Sequence, residues 1–175
     1  MLISGAYERV VASLILPAMV RVGEEWAAGR LSVAAEHAAT NAVVRRLGAA
    51  FDGAAVDPAI EDAVVIGLPE RSRHELGVLA FAVVARRAGL PVIYVGADLP
   101  SLDWLKAAAT ARAVVIAAPT AADRTSARRL AVALHRARPQ LTVALGGPAA
   151  PHVDGCLQLS DLMEVAAAQL KTALG

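Results

Sequence analysis

The sequence predicts an α/β protein, a doubly wound parallel sheet preceded by an N-terminal helical bundle. Residues 1–52 show apolar residues at helical spacing and no strand-like run. From about residue 60 onward, short apolar runs alternate with helical stretches, the pattern of successive βαβ units. Between them, "DGAAVDP" at residues 52–58 has the composition of a linker. Two domains are therefore expected: a helical one over 1–52 and an α/β one over 60–175.

In the helical half, residues 7–16 are apolar with helical spacing, and Pro17 forces a break or a new first turn. Residues 20–28 continue helically up to Gly29-Arg30, and Ser32 is suited to N-cap a helix running to about residue 50. After the linker, "AVVIGLP" from Ala63 is a short apolar run that suits a buried parallel strand. A helix is expected over 74–88, closed by Gly89 and Pro91. "VIYVG" from Val92 is a second strand, followed by a helix over 101–110. "AVVIAAP" from Ala113 is a third, followed by a helix over 123–137. "TVALGG" from Thr142 is a fourth, "GCLQL" from Gly155 a short fifth, and a helix over 160–174 ends the sequence. Right-handed crossovers then give a flavodoxin- or Rossmann-like sheet with helices on both faces.

Composition limits the function. The chain is 57% hydrophobic, enough for a sizeable core. Its apolar runs fall short of the roughly 18–20 residues a bilayer requires, and the N-terminus lacks a signal-peptide pattern. Seventeen basic and 16 acidic residues are interspersed, for a net charge of +1, so no basic face suggests nucleic acid. The single cysteine, Cys156, excludes an intrachain disulfide framework and a cysteine zinc site. A soluble, cytoplasmic protein with no membrane or direct nucleic-acid partner is expected.

Ligands of doubly wound sheets bind outside the carboxyl ends of the strands. The segments there are "GLPERSRHELG", "GADLP", "AAPTAAD" and "GGPAAPH". Small residues and prolines suit a broad, flat ligand lying close to backbone. The phosphate-binding patterns GxxxxGK[ST] and GxGxxG are both absent.

His74 stands in the first of these segments, one of four histidines. Taken alone it reads first as a solvated histidine in a first helical turn, although neutral imidazole is also a common metal ligand. Its surroundings shift that reading. "SRHELG", with His74 and Gly77, and "LGGPA", with Gly146 and Gly147, resemble the signature of the cobalamin-binding module of corrinoid proteins. The resemblance implies that His74 is the lower axial ligand of cobalt. It also implies that Gly77, Gly146 and Gly147 line the channel for the displaced nucleotide tail. The chain departs from the family pattern in two places. The acid usual two residues before the histidine is Ser72, whose hydroxyl can accept from the imidazole N–H but polarises the ring less than a carboxylate. The family pattern supports neither Glu70 nor Glu75 as its substitute. The serine and leucine usual after the third strand are replaced around "AAPTAA", where Thr120 is the only hydroxyl and the expected substitute. Weaker tail contacts are expected in consequence.

The helical half adds a second motif. Trp26 is followed ten residues later by Glu36 and eleven later by His37. This is similar to the W-x9-EH motif of adenosylcobalamin photoreceptors, the MerR-family light-responsive repressors. The resemblance makes 1–52 a cap in which Trp26 packs on the adenosyl group, with Glu36 and His37 beside the same upper face. An indole can wall a flat base, and a carboxylate and an imidazole can bond its hydroxyls or amine. A methyl group needs none of these. Taken singly, Trp26 also reads as a core tryptophan of the bundle, and Glu36 and His37 as a first-turn surface. In the best-known photoreceptors a histidine follows the tryptophan. Here Ala27 follows and cannot ligate, so the expected upper ligand after light is water, hydroxide or His37.

Other residues are read more plainly. Trp104 is expected to pack on the exposed side of its helix. Asp98, at a strand end, can bond corrin amides or cap the helix at Ser101. His135, late in a helix, is expected to be solvated. His152 lies in a loop with only a weak case for reaching a cofactor edge. Cys156 is expected to be a buried small apolar residue. Neither a Ser-His-Asp arrangement nor a paired-carboxylate site is evident, so an enzyme is not expected.

The expected function is a light-responsive sensor that binds adenosylcobalamin between cap and sheet. Having no winged helix-turn-helix in front of the cap, it would act through self-association or a regulator protein partner. The alternative is a corrinoid protein carrying methyl groups for a methyltransferase system. A third reading is a generic flavodoxin-like domain.

Overall fold

The computed structural model describes residues 6–54 and 63–175. The chain divides into two compact units, Met1–Gly53 and Ala54–Gly175. Residues 55–58 of the expected linker lie outside the described residues.

In the first unit α1 (Ala6–Val10) runs through a π-turn (Val11–Ile15) into α2 (Leu16–Ala27). Pro17 has no N–H and its ring crowds the carbonyl four residues back. The helix accommodates it without breaking: it is wider just before the proline, where the Leu16 N–H donates to the Val11 carbonyl. α2 stops at a turn in which Gly29 takes φ +72°. There the amides of Arg30 and Leu31 both reach back to the Glu25 carbonyl. Ser32 then caps α3 (Val33–Gly53), its Oγ accepting the Ala35 amide at 3.2 Å. α2 packs against α3.

The second unit is a five-stranded parallel sheet in the order β2-β1-β3-β4-β5. Its strands are β1 (Val64–Pro69), β2 (Val92–Leu99), β3 (Ala113–Ala117), β4 (Thr142–Gly146) and β5 (Leu157–Gln158). The helices between and after them are α4 (Leu76–Arg87), α5 (Ser101–Ala107), α6 (Arg124–Ala137) and α7 (Met163–Leu174). β1 and β3 are buried along their whole length, as a parallel sheet covered on both faces requires. Val65, Val114, Ile116, Val143 and Leu145 form one core with Trp104 of α5 and with Ala127, Leu130 and Leu134 of α6. α4 and α7 pack on each other, α4 also on β1 and β2 and α7 on β4.

Trp104 corrects an expectation. It is fully buried, and its indole N–H donates to the Leu68 carbonyl at 3.3 Å. Its ring closes over Gly67, where an added Cβ would lie 3.3 Å from the indole and 2.5 Å from Val95. Among the described residues, no helix is long and apolar enough to cross a membrane.

Candidate functional site

Chain order reverses between β1 and β3: β2 lies on one side of β1 and β3 on the other. That crevice is where open α/β sheets bind ligands. The loops over it are 70–75, after β1, and 118–123, after β3.

The first loop is tightly held. Arg71 adopts φ +70° and Asp98, on β2, adopts φ +57°. This loop and the end of β2 clasp each other: the Arg71 amide donates to Asp98 Oδ1 at 2.6 Å, and the Asp98 amide donates to the Ser72 carbonyl at 3.0 Å. Arg73 adds an ion pair to Asp98 Oδ2 at 3.4 Å. The hydrogen bond from the Arg71 amide is the largest cause holding the Asp98 carboxyl below the usual range; burial opposes it, and the Arg73 and Arg71 charges and the Arg73 hydrogen bond add to the lowering. Asp98 does not cap α5, whose N-cap is Pro100 with no side-chain cap bond. Its carboxylate instead fixes the segment that presents His74. Two residues beyond Ser72, His74 is exposed. α4 begins at Leu76 with Glu75 as N-cap, so His74 precedes the helix and does not lie within it. The Glu75 carboxylate accepts the Tyr94 hydroxyl at 3.1 Å. Burial and this carboxylate push the Tyr94 hydroxyl well above its ordinary pKa.

The second loop brings in a residue that the sequence reading passed over. Asp123 is buried in a one-turn 3-10 helix (Ala121–Asp123) and accepts the Thr120 hydroxyl at 2.6 Å and the Thr120 amide at 2.9 Å on Oδ2. Thr120, expected as a ligand hydroxyl, is therefore engaged with Asp123. Burial pushes the Asp123 carboxyl up. Hydrogen bonding from the Thr120 hydroxyl and amide, with Ser72 and His74 adding to it, outweighs this and holds it below the usual range. Ser72 and Asp123 are thus both buried in the loops that follow the neighbouring strands β1 and β3, with His74 two residues beyond Ser72. The signal for Asp123 was the T-x-x-D spacing after a strand, a capping-box pattern.

The glycines answer to different constraints. Gly147 takes φ +97°, and a Cβ there would lie 2.9 Å from the Ala118 carbonyl oxygen. Gly146 and Gly147 form the turn that brackets Ala118, whose amide donates to the Gly146 carbonyl. At Gly146 a Cβ would make only an ordinary 3.5 Å contact with Leu159, and at Gly77 it would meet nothing within 4 Å. Glycine in the first turn of a helix weakens it, and no neighbouring atom of the chain asks for it at position 77. An uncovered backbone beside an exposed imidazole fits a large, flat group that approaches closely. Among the described residues, no cluster of three or more His, Cys, Asp or Glu side chains could hold a metal ion by itself. A metal at His74 would have to bring its remaining ligands with it, as a corrin does.

In the first unit, Trp26 ends α2 and is 47% exposed, so it is not a core residue. Glu36 and His37 lie in the first turns of α3. Glu36 Oε1 accepts the Thr40 hydroxyl at 2.7 Å, and His37 Nε2 lies 3.6 Å from Glu36 Oε2. His135 is partly buried and not freely solvated: a Cβ on Gly155 would fall 2.7 Å from its Nε2. His152 is exposed and lies 3.5 Å from Asp154. Cys156 is half-buried, and burial raises its thiol pKa.

Residues 2–51 match the family described as the B12 binding domain. Over 151 residues the chain is 32% identical to the HTH-type transcriptional repressor CarH of Myxococcus xanthus, covering 83% of this chain and 48% of the repressor. The chain thus spans about half the length of that curated relative. Its fold is similar to the Methanosarcina barkeri monomethylamine corrinoid protein (TM-score 0.70, 15% identity, 96% of this chain and 82% of the other). It is also similar to the methanol:cobalamin methyltransferase complex MtaBC of the same organism (TM-score 0.58, 16% identity, 96% and 67% covered). A cobalamin-binding protein of Desulfitobacterium hafniense DCB-2 is similar too (TM-score 0.56, 20% identity, 97% and 84% covered). In sequence and in fold, then, the chain resembles cobalamin-binding modules, as "SRHELG" and "LGGPA" indicate. The matching family describes a binding domain rather than a catalyst.

Proposed function

We propose that this chain binds adenosylcobalamin and works as a light-responsive regulatory module. The observation that carries the reading is His74: an exposed imidazole on a rigidly clasped loop at the switch point of the sheet, beside the open face of Gly77. In this reading His74 is the lower ligand, and Gly77, Gly146 and Gly147 give the nucleotide tail room beside backbone. Thr120 acts by fixing its own loop through Asp123, and Asp98 by fixing the β1 loop to β2. Trp26, Glu36 and His37 serve the upper face. The half-exposed Trp26 supports that role, because a tryptophan free of the core has surface left for a base to pack on. When bound, the cofactor supplies a cobalt–carbon bond that light can cleave. Trp26 would pack on the adenosyl group, and without that partner the helical unit would bias an interface with a second copy or a regulator protein.

A second reading, a methyl-carrying corrinoid protein, is favoured by the likeness in fold to the monomethylamine corrinoid protein and to the methanol:cobalamin methyltransferase complex. Dark affinities for adenosylcobalamin and methylcobalamin separate the two readings. The sensor binds the adenosyl form more tightly, and Trp26→Ala removes that preference. Equal affinity for both forms, unchanged by Trp26→Ala, overturns the sensor in favour of the carrier.

A further inference from the structure

The position that lacks an acid in the sequence has one beside it in the fold. Ser72 is 1% exposed and Asp123 5% exposed, each at the carboxyl end of one of two neighbouring strands, β1 and β3. Asp123 Oδ2 is held by Thr120. The Ser72 hydroxyl is buried with no hydrogen-bond partner among the described residues. It nevertheless lies close enough to the Asp123 carboxylate to help stabilise its charge, as does His74. The other nearby carboxylates are taken or turned away: Glu75 accepts Tyr94, Asp98 accepts Arg71 and Arg73, and Glu70 is exposed. A ligating imidazole needs an acceptor for its second N–H, and a carboxylate at the end of that chain of hydrogen bonds makes the ring a better donor to metal.

We propose that Asp123 is the positioning residue for His74 and acts through Ser72, whose hydroxyl accepts from the imidazole N–H and donates to the Asp123 carboxylate. The carboxylate that the β1 loop lacks is thus supplied from the β3 loop. No bond to carbon or cobalt is made or broken by this pair. It sets the tautomer, orientation and basicity of the ring. The inference deepens the reading of His74 as a cobalt ligand and rests on it.

The test uses the whole chain with cob(II)alamin and adenosylcobalamin as probes. Electron paramagnetic resonance of the cob(II)alamin complex reads nitrogen splitting from an axial imidazole, and dark binding reads affinity. Wild type shows the splitting and His74→Ala loses it. Asp123→Asn keeps an acceptor for Thr120, so the cofactor-free protein still folds, with its melting midpoint lowered only by loss of the carboxylate charge. Ser72→Ala and Asp123→Asn each weaken cobalamin binding by about 10- to 100-fold, and the double variant is no worse than either single one, as members of one relay should be. Moving the acid back, in Ser72→Asp with Asp123→Asn, restores affinity and splitting. Wild-type affinity and splitting in Asp123→Asn, with His74→Ala defective, overturns the relay and leaves His74 as ligand. Weak binding in Asp123→Asn with an equally lowered melting midpoint and no rescue by the swap makes Asp123 a structural cap only. No His74-dependent splitting in wild type overturns the ligand reading and the relay with it.

Discussion

Gly147 holds φ at +97° with the Ala118 carbonyl where its Cβ would be. Alanine there is strained and crowded at once, so Gly147→Ala should destabilise the cofactor-free protein by about 1–3 kcal/mol in chemical denaturation. Gly77 differs. Its conformation is ordinary and its surroundings are empty, so Gly77→Ala should leave cofactor-free stability unchanged or raise it by up to about 1 kcal/mol. The added methyl would intrude on the proposed ligand surface, and cobalamin affinity should drop about tenfold or more. If Gly77→Ala binds cobalamin as tightly as wild type, that glycine does not line the channel. Asp123 brings a pH dependence. Its folded pKa lies below the unfolded carboxylate value, so its stabilising effect is complete above that value. It is lost as pH falls through the depressed folded pKa. Acid unfolding should therefore begin at a higher pH in Thr120→Ala, which removes one of the bonds that lower it.

The central strands of the second unit could be read because β1 and β3 are short apolar runs buried along their whole length, which leaves little ambiguity. Ser32 was legible as a cap for a local reason, since its hydroxyl serves an amide three residues on. Partners distant in sequence were not legible. Trp104 looked like a surface residue of α5 because nothing nearby in sequence shows that Gly67 opens a slot for its ring. Trp104→Ala should cost about 3–5 kcal/mol, measured by denaturant unfolding, as the loss of a fully buried tryptophan does. A change below 1 kcal/mol would mean that the slot collapses around the gap. His74 and the glycine pair were legible by motif. The pairing of Ser72 with Asp123 was not, because only the adjacency of β1 and β3 brings residues 51 apart in sequence together. The π-turn escaped notice because Pro17 signals trouble without saying whether the helix breaks or widens.

Across the two units, the chain carries chemistry of two kinds. The sheet unit offers one imidazole on a clasped loop, and the helical unit offers an exposed indole with a carboxylate–imidazole pair. His37 is 69% exposed along its side chain and lies near Glu36. His37→Ala should therefore leave the visible spectrum after illumination the same as wild type. A different spectrum would assign His37 as an upper ligand. In the proposed function His74 ligates a light-sensitive cobalamin. The most direct test mixes the purified chain with adenosylcobalamin in the dark, removes free cofactor and records visible spectra before and after green light, with His74→Ala alongside. Retained cofactor, a change on illumination and an altered dark spectrum in the variant are the predicted result. Retention with an identical dark spectrum in His74→Ala, or no retention by wild type, would contradict it.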